Sequence, residues 1–157
     1  MALLIRDARP EDLTQIAQLA GELVRQHHGF DAARFMLIPH VETGYAHFFQ
    51  SELGNPETVI LAAERDGQVV GYAYGRLEER DWNALLDACG ALHDIYVHEN
   101  ARRQGVARLL LTGMLDRLRA KGAPRVVLHT ASKNHGARAF FAAVGFRETM
   151  AELTLEL

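Results

Sequence analysis

Residues 92 to 130 constrain the fold of this chain more than any other stretch. Leu92-His93-Asp94-Ile95-Tyr96-Val97 has the apolar content of a strand, and Arg102-Arg103-Gln104-Gly105-Val106-Ala107 follows as an arginine-rich turn with a glycine. Val106, Leu110, Met114 and Leu118 then fall in one row of a helix, with Ala107, Leu111 and Leu115 beside it. Gly122-Ala123-Pro124 stops that helix, and Arg125 to Thr130 reads as a second strand. A strand–helix–strand unit of this length predicts a parallel crossover. The turn inside it predicts a ligand class as well. A helix start leaves several backbone N–H groups without partners, the helix dipole adds partial positive charge, and successive turn amides converge on one anion. Residues 103 to 108 therefore read as a phosphate cradle.

The flanking sequence fills in a mixed sheet. Leu3-Leu4-Ile5 is a first strand. Pro10-Glu11-Asp12 opens a helix, because proline suits the first turn and carboxylates suit the positive end. Leu13, Ile16, Ala17, Ala20, Leu23 and Val24 carry it to about Gly29. A second helix is expected over about Val41 to Glu52, with Tyr45, Phe48 and Phe49 on its apolar side. Asp66-Gly67 marks a hairpin between Thr58–Ala63 and Val69–Leu77. Cys89 to Val97 is a fourth strand. Asn134 caps a last helix that ends at Gly145, and the segments 146–148 and 152–157 are expected to be the final strands. The fold class is α/β (α+β): a mixed central sheet of about seven strands flanked by about four helices, in a single domain spanning residues 1–157.

Composition narrows the partners. The chain has 157 residues, 48% of them hydrophobic, enough to bury a core without disulfides or metals. No apolar run approaches membrane-spanning length, and Asp7, Arg9, Glu11 and Asp12 come too early for a signal peptide. With one cysteine, Cys89, a reducing cytoplasm is the expected compartment. The net charge is −3 but unevenly spread. An acidic block (Glu78, Glu79, Asp81, Asp87, Asp94, Glu99) abuts a basic one (Arg102, Arg103, Arg108, Arg117, Arg119, Lys121, Arg125). That layout suits a polyanionic cofactor beside a cationic substrate, or two solvated faces. The acidic total and the lack of a basic aromatic motif argue against nucleic acid. The histidines show no metal-ligand spacing.

Two motifs carry a resemblance. Arg102, Gly105 and Ala107 fit the pattern Arg/Gln-x-x-Gly-x-Gly/Ala. Asn134, Ala137, Phe141, Gly145 and Phe146 fit Asn-x-x-Ala-x-x-x-aromatic-x-x-x-Gly-Phe. Together and in this order they resemble the GNAT superfamily of acetyl-coenzyme A-dependent N-acetyltransferases, loosely its diamine-acetyltransferase branch. The resemblance implies that the main chain of Ile95, Tyr96 and Val97 pairs with the pantetheine arm of acetyl-coenzyme A. It implies that the amides of Arg103, Gln104, Gly105, Val106, Ala107 and Arg108, with Arg102, hold the pyrophosphate, and that Asn134 and Phe141 lie near the cofactor arm. No metal is implied.

The resemblance further implies direct attack of an amine on the thioester, polarised by a backbone N–H near Val97, with a general base from the fourth strand. Here the candidates are His93 and Asp94. Strand alternation sends them to opposite faces unless a bulge intervenes. The expected acceptor is a small-molecule amine, cationic by the charge layout, or a protein amine; many relatives form homodimers through the late strands. Phe141 departs from the usual tyrosine, which is thought to protonate the departing thiolate. That departure keeps open a coenzyme A-binding regulatory module without turnover, beside an acyltransferase using a longer acyl chain.

Overall fold

A computed structural model describes residues 2–157. Strands β1 (Leu3–Asp7), β2 (Thr58–Arg65), β3 (Gln68–Glu78), β4 (Cys89–Val97) and β5 (Val126–Leu128) form one sheet in sequence order. The first four are antiparallel, and β5 runs parallel to β4. Helices α1 (Leu13–Phe30) and α2 (Val41–Glu52) cover one face, while α3 (Val106–Ala120) covers the other. Helix α4 (His135–Val144) packs through Phe141 into the core on the α3 side.

Two apolar clusters hold the layers apart. Leu61, Leu92, Val106, Leu110, Leu111, Met114 and Leu118 form one between sheet and α3. Ile16, Leu19, Ala20, Phe49, Ile60 and Tyr72 form the other, beneath α1 and α2. Strand β3 divides its residues cleanly between them. Ala73 and Leu77 face α3, while Tyr72 and Tyr74 face α1 and α2, as a period of two requires. The proline-led turn Pro10–Asp12 is 3-10 rather than α, and α1 proper starts at Leu13.

The sheet has five strands rather than about seven. The segments 146–148 and 152–157 are not strands in the described structure, and β5 covers three residues rather than Arg125 to Thr130. The tail keeps strand-like alternation, yet Leu153, Leu155 and Leu157 are 93%, 83% and 117% exposed. A strand forms only where a neighbour takes up its backbone groups, and among the described residues nothing pairs with this one. Instead, Glu152 meets Arg34 beyond the end of α1, and Glu148 lies 3.6 Å from Arg138 on α4.

Candidate active site

Three local features of β4 build the site. The first is a bulge. Tyr74 pairs with Asp94, but the next residue, Gly75, pairs with Leu92, so His93 has no partner of its own on β3. Alternation resets across it. Leu92, Ile95 and Val97 pack toward α3, whereas His93, Asp94 and Tyr96 all lie on the α1/α2 side. Gly75 makes the bulge feasible, because a Cβ there would lie 2.7 Å from the Met114 sulfur and 2.8 Å from the Ala91 carbonyl. The bulge settles the geometric question left by the sequence: both candidate bases share one face.

The second feature is a splay. Strand β5 pairs with β4 only over Gly90–Leu92, so residues 93–97 have no β5 neighbour. Ile95, Tyr96 and Val97 thus lie along a sheet edge open to an extended, amide-bearing ligand. The third is the turn at the start of α3. Arg103 and Gly105 are both left-handed, with φ of +60° and +81°. Gly105 is the N-cap of α3, with no side chain to satisfy the helix amides. Among the described residues, no carbonyl accepts from the N–H groups of residues 103 to 108. An additional Cβ at Gly105 would meet nothing within 4 Å, so the concavity is open. Free amides around left-handed residues at a helix start fit a diphosphate.

The side chains nearby take other duties. Arg102 turns back onto β4: Nε donates to the Val97 carbonyl and Nη2 to the Tyr96 hydroxyl, each at 2.9 Å. Gln104 pairs with Arg65. Asn134 caps α4, its Oδ1 accepting from the Ala137 amide at 3.1 Å. Phe141 is 6% exposed and packs edge-on against Phe146 in the cluster that holds Val97, Ala101 and Val106. That places α4 across the opening from the end of β4.

His93 and Asp94 line a cleft of ≈370 Å³ with Tyr45, Phe48, Tyr74, Arg76 and Glu78. Tyr74 meets Phe48 edge-on and stacks on the His93 ring at 5.4 Å. His93 Nε2 lies 2.7 Å from a Glu78 oxygen. Tyr72, fully buried, donates its hydroxyl to Asp94 at 2.9 Å. Desolvation pushes the Asp94 carboxyl above the ordinary range, and Tyr72 offsets this in part. Burial and the Asp94 charge push the Tyr45 phenol up to about 12. A wider cleft of ≈740 Å³ continues past Arg76 and Glu78 along Glu79, Asp81 and Trp82, with the Trp82 ring 75% exposed.

Tyr72, Tyr74, Arg76 and Glu78 did not emerge as site residues from the sequence. Their signal was the alternation Tyr72-x-Tyr74-x-Arg76-x-Glu78 against Gly71, Ala73 and Gly75. One face of β3 carries the functional groups, and the other is small from Gly71 to Gly75. Among the described residues no three metal-capable side chains gather, and no helix is long and apolar enough to cross a membrane.

Known proteins share this frame. An uncharacterised N-acetyltransferase of Bacillus subtilis, YhfO, is 28% identical over 92% of this chain and 89% of its own length. An L-methionine sulfoximine/L-methionine sulfone acetyltransferase of Pseudomonas aeruginosa is 27% identical over 93% of this chain and 81% of its own. The aminoglycoside N-acetyltransferase AAC(6')-Iy, solved with a coenzyme A bisubstrate analogue, superposes with a TM-score of 0.80 at 19% identity, covering 100% of this chain and 99% of that one. The model of the acetyltransferase (GNAT) family matches residues 22–146. With that match spanning the splayed strand, the amide-lined turn and the bulged histidine and aspartate, the chain belongs to the GNAT family of N-acetyltransferases.

Proposed function

We propose that this single domain moves an acetyl group from acetyl-coenzyme A to the primary amine of a cationic small molecule. The observation that carries the reading is the β4 bulge. It turns His93 and Asp94 into one aromatic-walled cleft, beside a free strand edge that leads to the amide-lined turn.

The main chain of Ile95, Tyr96 and Val97 would take the pantetheine arm, and the amides of residues 103 to 108 the diphosphate. Asn134 and Phe141 would border the arm, and Arg102 would steady the cradle through its hold on Val97. Acetyl-coenzyme A supplies a thioester carbonyl open to attack by a neutral amine. An alkylammonium with a pKa of about 10 leaves on the order of one amine in a thousand unprotonated at neutral pH. The protein's task is therefore to hold the cation and remove its proton. The Asp94 carboxyl, among Tyr45, Tyr72 and Tyr74, offers the hold, and the aromatic walls suit a cation as well. His93 offers a ring nitrogen with a route to solvent, its side chain being 42% exposed.

Phe141 has no hydroxyl, so the thiolate takes its proton from elsewhere. A thiol of pKa about 8.5 is a good enough leaving group to need little help. The test is release of free thiol from acetyl-coenzyme A with a panel of diamines, aminoglycosides, amino acids and basic peptides. Fastest release with a small cationic amine supports the reading. Preference for longer acyl donors or a peptide redirects it, and coenzyme A binding without release for any amine replaces it with a regulatory module.

We also infer a homodimer. The exposed Leu153, Leu155 and Leu157 and the unpaired outer edge of β5 fit a tail that completes the sheet of a second copy. Light scattering on the full chain should give twice the monomer mass, and deletion of residues 150–157 should give the monomer. The buried, unpaired Cys89 suits a reducing cytoplasm.

A further inference from the structure

We propose that Glu78 is a positioning residue for acetyl transfer: by accepting a hydrogen bond from the Nε2–H of His93 it leaves Nδ1 as the atom that takes the proton of the substrate ammonium, while Asp94 holds that ammonium. The inference rests on the acetyl-transfer reading above and adds a division of labour that the β4 residues alone do not define.

Unpaired on β3, the His93 ring depends on side chains for its orientation. Two provide it: the Tyr74 ring stacks on one face with planes 26° apart, and the Glu78 carboxylate lies 2.7 Å from Nε2. Arg76 Nε, which donates to the Leu77 carbonyl, adds positive charge 3.7 Å from the same Glu78 oxygen. Neutral imidazole carries one ring proton, and a carboxylate only accepts. The proton therefore resides on Nε2, and the lone pair on Nδ1. Among the described residues Nδ1 has no hydrogen-bond partner, and the ring lines the cleft.

Asp94 differs in kind. Among the described residues its side chain has one hydrogen bond, from Tyr72, and no ion pair with an arginine or lysine. A substrate ammonium supplies the missing cation. The proton then passes from the ammonium nitrogen to His93 Nδ1, the nitrogen keeps the electron pair it needs for attack, and the imidazolium gives its proton up to solvent. Glu78 is spent on neither holding nor accepting. It sets the tautomer, as a second group does for many catalytic histidines. The groups facing His93 are Tyr74, Arg76 and Glu78 from β3, Asp94 from β4, and Tyr45 from α2.

The test combines ring-nitrogen NMR of histidine-labelled protein with steady-state kinetics on the best amine from the panel. The wild type should show His93 protonated at Nε2 in its neutral form. Glu78→Ala should mix the tautomers and lower kcat about threefold to tenfold, with KM for acetyl-coenzyme A unchanged, since an exposed pair biases an equilibrium only modestly. Glu78→Gln still offers an oxygen to Nε2–H and should keep most of kcat. An Nδ1–H tautomer in the wild type overturns the proposal. So does an Ala variant with wild-type kcat, or equal losses in Ala and Gln confined to the KM of the amine, which would mark Glu78 as a charge that attracts substrate. A wild type that binds coenzyme A yet acetylates no amine sinks the acetyl-transfer reading instead, and the NMR still decides the tautomer.

Discussion

Two aspartates, one beside β1 and one on β4, show how this chain treats charge where it needs stability and where it needs chemistry. Asp12, in the turn before α1, is 5% exposed and fully partnered. Arg6 donates to it twice, at 2.6 and 2.9 Å, and the Arg9 amide donates at 2.7 Å. The Arg6 hydrogen bonds hold its carboxyl below the ordinary range. Asp94, at the bulge of β4, receives one hydrogen bond among the described residues, from Tyr72, and desolvation drives its carboxyl the other way. A desolvated charge left without a counter-ion is a cost to the fold. Such a cost at the wall of a cleft marks a position kept for a ligand.

The largest effect is expected on the satisfied side. Asp12→Ala leaves the Arg6 guanidinium, 11% exposed, with Glu64 at 3.3 Å as its remaining carboxylate, the Asp7 carbonyl at 3.2 Å, and Nε already unpaired. Breaking a buried pair of this kind costs about 3–5 kcal/mol. Urea unfolding should show that loss. A loss under about 1 kcal/mol would mean that water reaches Arg6 and that the two aspartates are less different than their surroundings indicate.

Asp94→Asn should act with the opposite sign. The amide oxygen still accepts from Tyr72 while the desolvated charge is gone, so the fold should gain about 0.5–2 kcal/mol at neutral pH. Turnover should fall about a hundredfold. The gain depends on pH in a definite sense. The folded pKa of Asp94 lies above its ordinary value of 3.8, so its penalty appears as pH rises through that interval and is complete above the raised value. The advantage of Asn should vanish in acid. For Asp12 the folded pKa is lowered, so its contribution is complete above the ordinary 3.8 and is lost as pH falls through the lowered value. Stability curves of wild type and Asp94→Asn that run parallel at every pH would remove Asp94 from the argument.

How far the sequence reveals all this follows from the range of the forces involved. Local signals were readable. The helix Val41–Glu52, the turn with Gly105, the Asn134 cap and the Gly145 stop stand where residue type and spacing put them. The two candidate bases were readable as a pair on β4, but their common face was not. A bulge depends on the register between Tyr74–Gly75 and Leu92–Asp94, which are distant in sequence. Glu78 was missed for a related reason. It reads as one more acid in an acidic block until β3 and β4 are paired and its carboxylate meets His93. The tail errs in the other direction: Glu152 to Leu157 carries the alternation of a strand, but alternation specifies a face to bury and does not supply a neighbour.

The smallest effect is the sharpest probe of the difference between the aspartates. Tyr72→Phe keeps the ring within the α1/α2 cluster and removes one hydroxyl. Stability should change by about 1 kcal/mol or less, because the open cleft lets water replace the lost donor. The hydrogen bond from Tyr72 lowers the Asp94 pKa, so its loss should raise that pKa further. A carboxyl that ionises later holds an ammonium later. The acid limb of kcat/KM for the amine should therefore shift to higher pH, with KM for acetyl-coenzyme A unchanged. The same hydroxyl deleted beside Asp12 would be masked by two arginine donors and an amide. A limb that stays in place would show that Asp94 is not the titrating group in substrate capture, and His93 would then have to hold the amine as well as deprotonate it.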